Sequence, residues 1–174
     1  MLKNIIILLL LFSLISCDDE EFPFDESGLT YKGKFVYDNQ FLINGMYIEK
    51  PISEPNAQVS YFFSNGSYYS AYTENFKESD FCHNIPDGSG DVPYLWGFYI
   101  IEGDLIKIQL LDPGSRVRYS EFKVMERWGT IINDSTIQFF KEITTDNKEK
   151  DYRKIFSFRE CVNKPDSNNI LLNF

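Results

Sequence analysis

Trp96-Gly97-Phe98-Tyr99-Ile100-Ile101-Glu102-Gly103-Asp104-Leu105-Ile106-Lys107-Ile108-Gln109-Leu110-Leu111 is the stretch that decides the fold. Two short apolar runs, Leu95 to Ile101 and Leu105 to Leu111, enclose Glu102-Gly103-Asp104. A link this short with a glycine in it is a hairpin signal. In the second run Ile106, Ile108 and Leu110 alternate with Lys107 and Gln109, the period of a strand with one buried face.

The same rhythm extends in both directions. Upstream, Val59 to Phe63 and Ser67 to Tyr72 flank Ser64-Asn65-Gly66, and Asn-Gly predicts a type I′ turn. Before them, Leu29, Tyr31, Phe35 and Tyr37 alternate with Thr30, Lys32, Lys34 and Val36, which predicts a first strand. A weaker strand covers Phe41 to Glu49, and Pro51 and Pro55 bracket a loop. Downstream, Asp112-Pro113-Gly114 turns the chain into Val117 to Trp128, whose apolar phase slips between Tyr119 and Phe122 and predicts a β-bulge there. Thr130 to Ile132 and Thr136 to Phe140 flank Asn133-Asp134-Ser135. A charged turn, Asp146 to Lys150, leads to a last strand, Tyr152 to Cys161. Residues 75–93, with Pro86, Asp87-Gly88-Ser89-Gly90 and Pro93, break the pattern; a loop of that length is functional or mobile.

About eight to ten strands joined by short hairpins, with no helical stretch long enough for a crossover, predict an all-β fold. Sequential hairpins favour an antiparallel up-and-down β-barrel, since closure removes exposed edges; a β-sandwich is the alternative. Two segments carry a resemblance. One is Trp96-Gly97-Phe98-Tyr99 running through Glu102-Gly103-Asp104 to Ile106-Lys107-Ile108; the other is Gly129-Thr130-Ile131-Ile132-Asn133-Asp134-Ser135-Thr136. Their pattern resembles the lipocalin-like, or calycin, group, especially small lipoproteins of Bacteroidota. The resemblance covers roughly residues 29–161 and lacks the Gly-x-Trp signature of true lipocalins. It implies one barrel domain over residues 29–174, with a cavity or mouth lined by Trp96, Phe98 and Tyr99 that takes a small apolar ligand.

The start of the chain bears on its address. Lys3, the apolar run Ile5 to Phe12 and Leu14-Ile15-Ser16-Cys17 read as a secretory signal peptide. The stretch is too short for a membrane span of about 20 apolar residues, and Asp18-Asp19-Glu20-Glu21 follows at once. Leu14-Ile15-Ser16-Cys17 resembles a bacterial lipobox. That implies cleavage after residue 16 and attachment of acyl chains, palmitate among them, to Cys17. The acidic run resembles the Bacteroidota signal for export to the outer face of the outer membrane; otherwise the domain faces the periplasm. Like charges also keep a chain extended, so residues 17–28 read as an acidic disordered tether.

Removing residues 1–16 from the 174-residue chain leaves a length typical of one domain with one core. The net charge of −9 and the lack of a Lys/Arg cluster argue against nucleic acid, whose phosphates need a basic footprint. The same charge argues against electrostatic docking on anionic lipid. With Cys17 lipidated, Cys82 and Cys161 remain as a candidate disulfide in an oxidising compartment. Two buried free thiols are the alternative.

Little in the chain points to catalysis. His83 is the single histidine, and beside Cys82 it makes a poor nucleophile–base pair, since adjacent side chains seldom face each other. Asp80, Asp87, Asp91, Glu102, Asp104, Glu121 and Glu126 offer no selected carboxylate pair. Asp87-Gly88-Ser89-Gly90-Asp91 lacks the spacing of an EF-hand and fits ordinary loop chemistry. Asp134-Ser135-Thr136 resembles the short O-glycosylation motif of exported Bacteroidota proteins, and a hairpin turn explains the same residues. No enzyme activity, cofactor or metal is therefore expected. Tyr61, Phe62, Phe63, Tyr68, Tyr69 and Tyr72 crowd one hairpin, and alternation sends neighbouring rings to opposite faces. This leaves two binding readings: a small apolar ligand in the barrel, or a protein or glycan on a surface that includes Tyr68 and Tyr69.

Overall fold

The computed structural model describes residues 28–35, 37–50, 57–73, 82, 95–112, 123–162 and 164. Within them are eight strands: β1 (Gly45–Lys50), β2 (Ala57–Phe62), β3 (Ser67–Thr73), β4 (Trp96–Glu102), β5 (Leu105–Asp112), β6 (Lys123–Asn133), β7 (Thr136–Ile143) and β8 (Glu149–Glu160). Each pairs antiparallel with its sequence neighbour, and β8 returns to β1, where Gly45 to Lys50 face Glu160 to Ile155 in reverse order. The result is a closed up-and-down barrel. A sandwich is excluded, because no free edge separates two sheets.

The register fixes which side chains point inward. Tyr47 faces Ser60, Phe62 faces Tyr68, Tyr68 faces Gly97, and Tyr99 faces Ile108. Ile108 faces Arg127, Ile131 faces Ile137, Ile137 faces Phe156, and Phe158 faces Tyr47. This ring returns to its starting residue, and its apolar members form one cluster drawn from all eight strands. The opposite faces of β1 to β5 carry a second buried cluster that includes Met46, Ile48, Val59, Tyr61, Tyr69, Trp96, Phe98 and Leu111, joined by Leu29 and Cys161. The protein thus has an inner core and an outer one. On the far side of the barrel Ile132, Phe140 and Ile155 remain exposed.

Three local expectations are corrected. The described residues of Leu29 to Tyr37 form no strand: Lys32 N and Lys34 N donate to Leu29 O and Tyr31 O in successive turns, and the backbone enters the left-handed region at Gly33. The barrel is already closed by β1 and β8, so this segment has no edge to join. The Asn65-Gly66 hairpin is not type I′, which needs positive φ at both residues. Only Gly66 has it (φ 81°), and Gly66 N donates to Phe63 O while Phe63 N donates to Ser67 O. That is the three-residue loop with a bulged glycine. Finally, the segments expected on either side of Gly129 are one strand, β6, with register shifts at Trp128/Gly129 and Ile131/Asn133. The bulge expected between Tyr119 and Phe122 lies outside the described residues, as do the Asp87 to Asp91 loop and His83.

Candidate functional site inside the barrel

The two ends of the barrel are built differently. At the end where β1 begins and β8 finishes, the segment before β1 folds under the strands. Phe35 packs at a tilt against Tyr99 with ring centroids 4.3 Å apart, and Phe41 meets Phe62 edge-on at 5.2 Å and Tyr99 at 5.9 Å. The phenols here are spent on backbone carbonyls: Tyr47 donates to Leu42 O or Asp134 O, Tyr99 to Phe63 O, and Tyr37 to Phe41 O. Burial pushes the Tyr47 and Tyr99 phenols well above their usual ionisation range. This end is plugged.

Towards the other end, the same inward phase turns polar. Gln58 Nε2 donates to Ser70 Oγ at 2.9 Å, and Ser60 Oγ and Tyr68 OH share a hydrogen bond at 2.8 Å. Tyr152 OH and Lys154 Nζ both donate to Gln58 Oε1, at 3.2 and 3.1 Å. Lys154 Nζ also pairs with Glu49 Oε2 at 2.8 Å. Arg127 Nε donates to Glu142 Oε2 at 3.0 Å, and the Arg127 guanidinium lies 4.7 Å from the centroid of the Tyr152 ring.

Solvent still reaches this cluster: the side chains of Arg127 and Glu142 keep 17% and 14% of their accessible surface. Burial opposes the Arg127 charge, yet Tyr152, Tyr68 and the Glu142 carboxylate more than offset it and hold its pKa above the usual value. Burial likewise raises the Tyr152 phenol against the pull of Arg127. The phenol stays neutral at neutral pH and keeps the proton it donates to Gln58 Oε1. Two ion pairs and a chain of neutral donors and acceptors thus share the inward face of the barrel. Among the described residues no group of three His, Cys, Asp or Glu is placed to hold a metal ion.

The residues expected to bind ligand are divided by the barrel wall. Tyr68 and Tyr99 point inward, whereas Tyr69, Trp96 and Phe98 pack in the outer cluster. Trp96, Phe98 and Tyr99 therefore do not line one cavity, because successive strand residues face opposite sides. Nor do Tyr68 and Tyr69 form a surface patch, since both are buried. Glu126, one of the carboxylates noted in the sequence, lies on the outer face, where Gln109 and Trp128 donate to it. Cys17 lies outside the described residues.

Cys82 and Cys161 are joined by a disulfide that links residue 82 to the end of β8. Near it, Lys164 Nζ donates to Ile43 O and Phe62 O and sits 4.4 Å from the Phe63 ring centroid. Burial brings its pKa down to about 8.

Arg127, Glu142, Tyr152, Lys154, Gln58, Ser60 and Ser70 were not singled out in the sequence. Their signal was a polar residue standing in the apolar phase of a strand, as Arg127 does between Met125 and Ile131. No protein-family model matches the chain, and neither does any curated protein or solved structure.

Proposed function

We propose that this protein is a lipoprotein held on the outer membrane through Cys17, and that its barrel binds a small ligand at the end that carries its interior ion pairs. The observation that carries the binding reading is the contrast between the ends. One is filled by Phe35, Phe41, Phe62 and Tyr99, while the other holds the Arg127–Glu142 and Lys154–Glu49 pairs within reach of solvent. Placing ion pairs inside a barrel costs desolvation that an apolar filling would avoid. A ligand site is a reason to keep them, and the mouth of a β-barrel is a common place for one. Leu110 and Met125, on the same inward phase, supply apolar contact, so the ligand is amphipathic rather than purely apolar. Activity by binding, without catalysis, fits a cluster whose charged groups are paired. The Cys82–Cys161 disulfide supports an exported, oxidising location.

A second reading is a surface module that binds a protein or glycan. It is favoured by Ile132, Phe140 and Ile155, which stay exposed on the outer wall.

Native mass spectrometry separates the two. The whole mature chain, residues 17–174 with Cys17→Ser to prevent acylation, would be purified from its own host. A reproducible non-covalent adduct is expected for the ligand reading, and its fragmentation names the ligand class. A bare mass would reject that reading in favour of the surface module.

A further inference from the structure

We propose that the acidic segment 18–26 docks on the outer wall that β6, β7 and β8 of its own chain present. The inference does not depend on the ligand reading. In the register of β6 on β7, Ile131 faces Ile137 and Asn133 faces Thr136, so Ile132 is an extra residue on β6. Likewise Trp128 faces Lys141 and Gly129 faces Phe139, which leaves Phe140 as the extra residue on β7. A bulge re-aims the side chain that it frees from the ladder. Both of these side chains are large, apolar and exposed. Ile155, which faces Gln138 on the same outward phase, is exposed beside them. None of the three belongs to the inner or the outer core. Apolar groups gathered on one exposed wall mark a contact surface.

Charge says what fits there. Residues 130–132, 136–140 and 153–159 hold no Asp or Glu, in a chain with 26 of them. Next to the apolar group, Lys50, Lys141, Arg153 and Arg159 stand on the outward phase. Lys141 and Arg153 pair with Glu149 and Asp151, carboxylates that are 67% and 61% exposed. Such pairs are worth little and exchange readily. The matching partner is therefore both apolar and acidic. Asp18-Asp19-Glu20-Glu21-Phe22-Pro23-Phe24-Asp25-Glu26 sets two phenylalanines among six carboxylates, and it lies outside the described residues. Its length fits as well. Gly28 lies against Val124 on β6, and the level of Phe140 is about 15 Å further along that strand. Six extended residues span about 20 Å, which brings Phe22 to Phe140 one strand away. Asp18 to Glu21 then extend to Arg153 and Lys50. With Cys17 as the proposed anchor, docking turns this wall towards the membrane.

The test uses the whole mature chain, residues 17–174, made without acylation, so that Cys17 is a free thiol while Cys82 and Cys161 stay bridged. A nitroxide on Cys17 of isotope-labelled protein then shows which backbone amides the segment approaches. At low salt the amides of 130–140 and 153–157 are expected to lose most of their intensity, while those of β2 and β3 keep theirs. Phe22→Ser/Phe24→Ser, which alters no barrel strand, should restore the lost signals. Salt at about 1 M, where the screening length is about 3 Å, should restore them in part. Loss spread evenly over the barrel, or no loss, would overturn the proposal, and signals that stay lost in the variant would overturn the role of the rings. Loss seen when nitroxide-bearing chains are mixed with isotope-labelled chains that carry none would assign the segment to a second copy and overturn docking within one chain. Cross-peaks from Ile170 to Leu172 onto Ile132 or Phe140 would give the wall to the end of the chain and overturn it too.

Discussion

Gly129 on β6 lies against Phe139 on β7 so closely that a Cβ at residue 129 would stand 2.8 Å from Phe139 Cδ1 and 2.9 Å from Gln138 O. Phe139 is fully buried and belongs to the inner core, and the register of β6 on β7 shifts at this point. The two strands approach here only because residue 129 has no side chain.

Gly129→Ala should therefore lower stability by about 1–3 kcal/mol, the usual cost of overpacking. One of the obstacles is backbone and cannot swing away. The expected result is a lower urea midpoint with an unchanged slope. An unaltered midpoint would mean that the shifted register can absorb the methyl group.

The disulfide closes a loop spanning 79 positions between Cys82 and Cys161. Restricting that loop in the unfolded chain is worth about 4 kcal/mol on the chain-entropy model. Cys82→Ser/Cys161→Ser, or reduction with dithiothreitol, should lower the melting temperature by many degrees. A shift of a degree or two would show that residual structure already restrains the unfolded loop.

Lys164 gives stability a defined pH dependence. Burial lowers its folded pKa to about 8, while the unfolded chain has the ordinary lysine value of about 10.4. Between these values the unfolded state binds more protons, so this residue makes stability rise with pH from about 8 to about 10.4 and contributes no pH dependence below 8. The stability difference between the wild type and Lys164→Met, measured by urea unfolding from pH 7 to 10, should grow in favour of the wild type. A difference independent of pH would remove Lys164 as its source.

The Arg127–Glu142 pair should act as a unit. Arg127→Gln strands a carboxylate inside the barrel and is expected to cost about 3 kcal/mol. Adding Glu142→Gln should recover more than half of that loss. Additive costs in the double-mutant cycle would show that the two side chains contribute separately.

Much of the barrel was legible in the amino-acid order. On β5 the inward Ile106, Ile108 and Leu110 alternate with Lys107 and Gln109, so the period and the buried face can be read together. The segment Leu29 to Tyr37 shows the same alternation, and its described residues form no strand. Alternation reports that a segment could bury one face, not that a partner edge exists. Gly129 misled in the other direction: a glycine between two apolar runs reads as a break, and here it lets two strands pack closely.

The proposed binding residues were harder to read. On β2, Val59 and Tyr61 belong to the outer core and Phe62 to the inner one, so both faces are apolar at that end and the sequence shows no contrast between them. Aromatic density therefore drew the expected site to Trp96, Phe98 and Tyr69, which pack outside the barrel. Arg127, Glu142, Tyr152 and Lys154 come from three strands, and nothing local links them.

By itself, the order of amino acids determined the all-β class, the hairpin connections and the spacing of inward and outward residues, because these depend on contacts between near neighbours. It also left Cys82 and Cys161 as the candidate pair that the structure joins. Only the tertiary structure decided which face is inside, which end is plugged, and that the interior charges meet at the other end. Those outcomes depend on β8 returning to β1 at one register, a contact between distant parts of the chain that no local pattern encodes.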